Sequence, residues 1–480
     1  MMRVTLKRRK VVVIGGGITG LTAAFYLQQN AKEHNLPLDV VLVESTLRLG
    51  GKIQTLRKNG FIIERGPESF FDQCGSVRRL ASDLGIAHEL VHNNSGQTYV
   101  AVGSELYPLP NNFMFGGSPK VSSIITTGLI SLSGKIRAAG DLFLPKSTDE
   151  KDEPIGDFFR RRFGKEVVEN LVEPLLAGTF AGDIDHLSLR AMFPQFYQLE
   201  KDYRSLILGM KKKGTSIYAF DQLDGERMFY GTFHNGLETL VESLEEQLAP
   251  STVLKGAKVE GIDKLADGSM KIHLNNVSPI QADAVIMTTP FNVAKGILHK
   301  YDVMQSLPNM NSATIATVTM AFKKQQMKKY KDAMNFFVSR NSDFAITSCT
   351  WSNRKWDDVV PDGYELLRVY IGRVGDEAIV ELSDSEIEKT VLQDLQKAIG
   401  LQDAPLFTVV TRWKQSMPQY TVGHEERLDH LKQELEKQFP HIKLSGSSYE
   451  GISVPDCVVQ GKNAASEVLA TIFEEQYETV

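Results

Sequence analysis

Apolar residues along this chain recur with two periods, and the switches between them outline its elements. Val11–Ile14 form an unbroken apolar run, as expected of a strand buried on both faces. A helix-forming stretch follows, and a second apolar run, LDVVLVE, ends at Glu44. Together they predict a β–α–β unit over roughly residues 10–44. The alternating run IQTLRKNGFIIE reads as a hairpin. Residues 155–210 read as mainly helical, because FFRRRFGKEVVENLVEPLLAG places apolar side chains three and four apart. Alternation returns over Val253–Leu274, followed by DAVIMTTP as a third apolar strand of the first sheet. Residues 313–322 and 365–372 predict strands of a second sheet. The C-terminal part runs from strand-like IKLSGS through YEGISVPD to a helix, with Pro455 at a helix start, where its missing N–H costs nothing. The polar segment Lys146–Pro154 reads as a linker. The predicted class is α/β, or α+β overall, and 480 residues call for two or three domains.

Composition narrows the options. With 42% hydrophobic and 24% charged residues, the chain is globular, and a net charge of −5 argues against nucleic acid as the main partner. Cys74, Cys349 and Cys457 are far apart and form no CxxC or Cys/His metal spacing, so neither a metal nor a disulfide framework is expected. A reducing, cytoplasmic setting is the simplest reading. The basic N-terminus runs straight into the first strand, unlike a secretory signal. No run approaches the roughly 18 apolar residues of a membrane span. Residues 121–132, VSSIITTGLISL, with Lys135 and Arg137, suit core or pocket-roof helices better than helices lying on a membrane. Peripheral membrane contact and oligomeric state stay open. The basic run at 323–331 reads as a solvated face.

The chemistry is carried by GGGITG, residues 15–20, between the first strand and its helix. Gly15 permits a tight turn, Gly17 lets backbone approach a pyrophosphate, and Gly20 lets helix pack on strand. Gly16, Ile18 and Thr19 complete the loop, and the helix N-terminus offers N–H groups to phosphate. Glu44, ending the second strand, is placed to accept ribose hydroxyls. NAD, NADP and FAD all fit this fingerprint. A flavin disulfide reductase would need a redox CxxxxC and a second glycine motif for a nicotinamide, and the chain has neither. One dinucleotide site remains, so electrons come from an organic substrate and leave to an acceptor, most simply oxygen. Arg48, Gly50, Gly51 and Lys52 set a basic side chain and bare backbone near the rest of an FAD. Gly66, Pro67, Glu68 and Ser69 offer backbone to a flat ring. YEGISVPD, before a helix, can supply N–H groups to the flavin N1/O2 edge, where charge collects on reduction.

These residues resemble the flavoprotein oxidases comprising protoporphyrinogen oxidase and the coproporphyrinogen III oxidase of Gram-positive bacteria, within the wider flavin amine oxidase superfamily. The resemblance rests on VVVIGGGITGLTAAFYL, VESTLRLGGKIQT, FIIERGPESF, NLVEPLLAGTFAGD, LSLRAMFPQFYQLE, YRSLILGM and GISVPDCVVQGK, and is closest to the soluble bacterial branch. It implies a Rossmann-like FAD domain from segments 9–61, 233–297 and 405–480. An antiparallel-sheet substrate domain would comprise 62–90, 178–232 and 298–404, with a helical domain over 91–177. Carried onto matching positions, FAD contacts would be Gly15–Gly20, Glu44, Ser45, Gly50–Lys52, Gly66–Ser69, Val259, Trp413, Ile452, Ser453 and Val454. Trp413 equally suits a core aromatic. Leu176 and Gly178 would neighbour the substrate. Ala177 stands where mitochondrial members have an arginine, and NNFMFG follows Leu109–Pro110 where they often have another, so propionate recognition must differ. Arg340 and Lys211–Lys213 are candidates for that role.

The implied reaction is oxygen-dependent oxidation of a porphyrinogen in heme biosynthesis: coproporphyrinogen III to coproporphyrin III, six electrons and three H2O2. Hydride would pass from a meso carbon to flavin N5, with no catalytic side chain assigned; His424 and Asp456 read better as uninvolved. Three alternatives stay open: protoporphyrinogen IX as substrate, a flavin amine oxidase or carotenoid desaturase, and a non-catalytic scaffold like the proteins that escort prenylated GTPases.

Overall fold

In a computed structural model, which describes residues 7–109, 127–213, 229–401 and 403–473, the first apolar runs become β1 (Arg9–Ile14) and β2 (Leu38–Glu44). Helix α1 (Ile18–Glu33) joins them. They form a five-stranded sheet in the order β5 (Val253–Lys255), β2, β1, β6 (Ala284–Met287), β12 (Ile442–Leu444). Every neighbouring pair is parallel. Such a sheet is covered on both sides, which is why its strands read as continuous apolar runs. Val11 and Val13 pack under α1 and the C-terminal helix α6 (Val454–Ile472), through Leu21, Leu27, Ala465 and Leu469. Val12, Ile14, Val285 and Met287 face the other way, onto Ile262 and Ile272 and onto Leu431 and Leu435 of α5 (His424–Gln438).

The predicted second sheet has seven strands, ordered β11 (Phe407–Pro418), β7 (Ser312–Lys323), β10 (Tyr364–Ile371), β9 (Ile346–Trp351), β8 (Ala333–Val338), β3 (Gln97–Val102), β4 (Glu105–Pro108). All its pairs are antiparallel except β8 with β3. Side chains alternate between its faces. Val318, Met320, Phe322, Leu367, Val369 and Ile371 pack on Ile387, Val391 and Leu395 of α4 (Asp384–Ile399). The opposite face carries Thr317, Thr319, Thr350, Arg368 and Thr411, all buried despite their polarity. The expected hairpin, Thr55–Lys58 with Phe61–Glu64, lies against that second face through Phe61 and Ile63.

The run over 155–210 is mainly helical, including Ile155–Phe163, α2 (Glu173–Phe180) and Pro194–Tyr203, with Phe158, Leu176, Phe193 and Phe196 in a shared core. Arg162, fully buried, ties this unit together by donating to the Asp141 carboxylate at 2.6 Å and the Arg204 carbonyl at 2.7 Å. Residues 146–151 of the predicted linker are exposed, as are the lysines of the 323–331 run. The α/β class with an antiparallel second sheet is therefore what forms. Most of the 121–132 segment, and Pro110–Gly116, lie outside the described residues. Among the described residues no helix is long and apolar enough to cross a membrane.

Candidate functional site

At the end of β1 the chain must turn sharply into α1, and the glycines there have separate reasons to be glycine. Gly15 sits at φ +110°, a backbone conformation that a side chain disfavours. A Cβ on Gly20 would lie 1.9 Å from the Gly15 carbonyl, so helix and strand can pack only without one. Gly17 is different. It caps α1 in extended conformation, and nothing in the protein lies within 4 Å of where its Cβ would be. Packing does not require glycine there, yet the backbone faces open space at the positive end of a 16-residue helix. Ile18, Thr19 and Gly20 form the buried first turn. Glu44, at the end of β2, accepts from the Gly16 N–H at 2.8 Å and the Thr46 N–H at 2.7 Å, with the exposed Ser45 beside it. Val259 is buried at the start of the next strand, just past Ala257, whose N–H bonds the Glu44 carbonyl at 2.9 Å.

The second glycine turn closes on the first. Gly50 donates its N–H to the Gly16 carbonyl at 2.8 Å, and a Cβ on Gly51 would stand 3.4 Å from the Gly17 Cα. Both adopt positive φ, +91° and +56°. Lys52 donates to the neutral Ser447 hydroxyl at 3.3 Å, and burial pushes its pKa down. A desolvated cation beside open glycine backbone and a helix start is chemistry that receives an anion. Arg48 behaves otherwise: its guanidinium turns inward to the carbonyls of Leu49 and Ile53 and to Glu238 at 2.7 Å, on α3 (Glu238–Gln247). Its place is that of a brace for the turn.

Loop 64–69 links this cradle to the seven-stranded sheet. Gly66 lies under the Lys52 carbonyl, 1.7 Å from where a Cβ would be. The Arg65 carbonyl accepts from Trp413 Nε1 at 2.8 Å and Thr317 Oγ1 at 3.1 Å, and the Gly66 carbonyl from Arg368. Trp413 also packs against Ala181, Ala313 and Ile315. Glu68 is buried and accepts from Lys355 Nζ at 2.9 Å and the Ser352 hydroxyl at 2.9 Å, so its side chain points into the protein. Ser69 donates to the Tyr230 hydroxyl at 3.1 Å, and Pro67 sits between these anchors. The polar sheet face thus fixes the Arg65 and Gly66 carbonyls, while Glu68 and Ser69 are held by the short helix Ser352–Lys355 and by Tyr230.

The C-terminal motif completes the enclosure. Ser453 caps α6, its hydroxyl accepting from the Asp456 N–H while Asp456 receives the Ser453 N–H at 3.0 Å, which occupies both groups. Burial raises the Asp456 pKa. Ile452 and Val454 flank the cap, and Gly451 donates to the Tyr420 hydroxyl at 3.0 Å. Gln460 reaches back to both Gly446 and Gly451, at 2.9 and 3.1 Å. His424 stacks on Tyr420 at 3.9 Å and bonds the Tyr449 carbonyl at 2.8 Å; burial lowers its pKa and leaves it a structural group.

Leu176 and Gly178 lie on α2, where Gly178 lets the helix meet Phe337 of β8: a Cβ there would come within 2.4 Å of that ring. Arg340 is not a free carboxylate receptor. Its Nε donates to Glu173 at 2.7 Å, and Arg373 approaches the same carboxylate at 3.7 Å. Lys211 and Lys212 are exposed at a helix end.

The profile of the flavin containing amine oxidoreductase family matches residues 18–469. This chain belongs to that family. It is 47% identical to coproporphyrinogen III oxidase of Bacillus subtilis over 97% of this chain and 99% of that protein. It is 36% identical to coproporphyrinogen III oxidase of Staphylococcus aureus, over 97% and 100%. A crystal structure from Exiguobacterium sp. 255-15, provisionally assigned as a protoporphyrinogen oxidase, superposes with a TM-score of 0.85 at 33% identity, over 97% of this chain and 99% of that one.

For a member of the flavin family, the cradle fits the expected group: Gly17 leaves room for it, and Lys52 offers a half-buried charge to it. Residues that sequence reasoning missed are Thr288, Ser447, Gln460 and the cluster Arg368, Lys355, Tyr370 and Thr317. Thr288 Oγ1 bonds both the Ile14 and Gly15 carbonyls at 3.0 Å, bracing the first turn from β6. The signal for Arg368 was present in LLRVYI, a charge within an otherwise apolar strand.

Proposed function

We propose that this protein is an FAD-dependent oxidase that converts coproporphyrinogen III to coproporphyrin III in heme biosynthesis, using oxygen. The observation that carries the reading is 47% identity along essentially its whole length to an enzyme of that name. FAD is preferred over a shorter flavin because a glycine-rich strand–helix turn followed by Glu44 suits a pyrophosphate and an adenosine ribose. When bound, the flavin supplies the hydride acceptor and returns the electrons to oxygen, three rounds giving six electrons and three H2O2.

The chain's own residues do the rest. The Gly15–Gly20 turn and Lys52 hold the diphosphate, while Glu44 and Ser45 meet the ribose, with Val259 near the adenine. Gly66, Pro67 and the loop Ile452–Val454 border the ring, and Trp413 and Arg48 act one step back by fixing carbonyls. Leu176 and Gly178 on α2 line the substrate side. This division corresponds to an FAD domain from 9–61, 233–297 and 405–480, a substrate domain from 62–90, 178–232 and 298–404, and a helical domain over 91–177. Meso carbons flanked by pyrroles give up hydride readily, so the protein needs position and exclusion of competing reactions more than an acid or base. A cytoplasmic location is consistent with this role.

Purified protein incubated in air with coproporphyrinogen III, and separately with protoporphyrinogen IX, tests the reading through porphyrin fluorescence and peroxide. Faster turnover of the copro substrate is expected. A preference for the proto substrate overturns the pathway step but not the chemistry, and amine oxidation without porphyrin formation overturns both.

A further inference from the structure

Arg368 lies mid-way along β10, paired with Thr319 of β7 and Thr350 of β9. Strand alternation turns it, with Leu366 and Tyr370, to the face that meets loop 64–69. It is 1% exposed. Its guanidinium carbon lies 4.6 Å from the Tyr370 ring centre. One amino group donates to the Gly66 carbonyl, whereas Nε and Nη1 are buried with no hydrogen-bond partner among the described residues. The charged groups around it do not balance it. Glu68 is already engaged by Lys355 and Ser352, both at 2.9 Å. Glu64 accepts from the Leu237 N–H at 2.6 Å and the Thr55 hydroxyl at 2.9 Å, and burial pushes its pKa up to about 8. Near neutral pH, Arg368 and Lys355 against Glu68 therefore leave one positive charge in excess inside the protein. A buried guanidinium with unused donors is unfavourable until an acceptor or negative charge completes it.

We propose that Arg368 tunes the bound flavin: its fixed charge behind the Gly66 loop favours the reduced ring, which carries added negative charge, over the oxidised one. The inference rests on the reading above, that a flavin lies against this loop. A resident ring suits the arrangement better than a substrate carboxylate does. The guanidinium is sealed from solvent and clamped to Gly66, which is itself pinned under Lys52. A carboxylate on the rim of an arriving substrate would need a cation it can reach.

The test compares wild type, Arg368→Met and Arg368→Lys as flavin-loaded proteins without substrate, equilibrated against a reference dye. Arg368→Met is expected to lower the equilibrium constant for two-electron reduction about tenfold or more, equivalent to about 30 mV. Arg368→Lys, which keeps the charge, is expected to stay within about threefold of wild type. Should the Met variant not accumulate with flavin, Arg368→Gln, which keeps a donor for the Gly66 carbonyl, carries the same expectation. Unchanged reduction in the Met or Gln variant, with a raised KM for coproporphyrinogen III, overturns the proposal in favour of a substrate contact. A Lys variant as impaired as the Met variant overturns it in favour of an uncharged structural clamp. Wild-type protein that holds no flavin overturns the functional reading itself, and this inference with it.

Discussion

The two large sheets solve opposite problems. The five-stranded parallel sheet is apolar on both faces, and at the carboxyl ends of its strands it presents backbone: glycines, helix starts and the short turns between them. The seven-stranded sheet is apolar only toward α4; toward loop 64–69 it buries threonines and an arginine. The first region opens space by leaving side chains out, the second places polar side chains where they are costly to keep. Backbone recognition tolerates little change in shape, whereas side-chain recognition depends on each buried polar group finding its partner.

The largest expected effects come from the places where each strategy is tightest. Gly20→Val forces a side chain into the Gly15 carbonyl and should cost about 3 kcal/mol or more while abolishing flavin binding. Thermal unfolding and flavin absorbance check both. On the other sheet, Lys355→Met removes the cation answering Glu68, both side chains being at most 10% exposed. Leaving that carboxylate unpaired should cost about 3–5 kcal/mol in denaturant unfolding. If the Met variant is as stable as wild type, the picture of a charge-dependent inner face is wrong.

Gly17→Ala separates ligand binding from packing. Its Cβ would meet no protein atom, so unfolding of the apo protein should change by less than about 1 kcal/mol. Flavin affinity should nonetheless fall about tenfold or more, measured by titration of apo protein. Equal loss of stability and affinity would mean that the glycine serves the fold alone.

A pH-dependent effect concerns Glu64, at the seam between the two regions. Its pKa in the folded protein is raised to about 8 by burial, above the ordinary carboxyl value of 4.5. The folded state therefore holds a proton that the unfolded chain has released across that window, and stability falls as pH rises from about 4.5 to 8. The contribution is complete below the lower value. Glu64→Gln should flatten this dependence; denaturant midpoints taken at several pH values would reveal an unaltered slope if the assignment is mistaken.

Legibility followed the same divide. The β–α–β unit, the hairpin, the third strand DAVIMTTP and the C-terminal helix were readable because burial on both faces or a short turn leaves a local mark. The turn and packing roles of Gly15 and Gly20 were readable for the same reason: a sharp strand-to-helix turn needs particular backbone at fixed spacing. Arg368, Lys355 and Tyr370 were not, although each is plain in the sequence. Which face a strand residue joins depends on register with distant partners, such as Thr319 opposite Arg368, and no local pattern encodes that pairing. Arg48 shows the converse. Its spacing from Glu44 suggested a cofactor contact, but the side chain folds back on its own turn and Glu238, nearly two hundred residues away in sequence. Arg340 looked available for the same kind of reason, and Glu173 engages it.

The central claim is that the paired glycine turns and Lys52 hold a dinucleotide flavin. The most direct test is to release the cofactor from purified protein by heat and identify it by mass, with its amount referred to protein concentration. One FAD per chain is the predicted result. A protein that is colourless even after incubation with FAD, or one that carries FMN instead, would contradict the account.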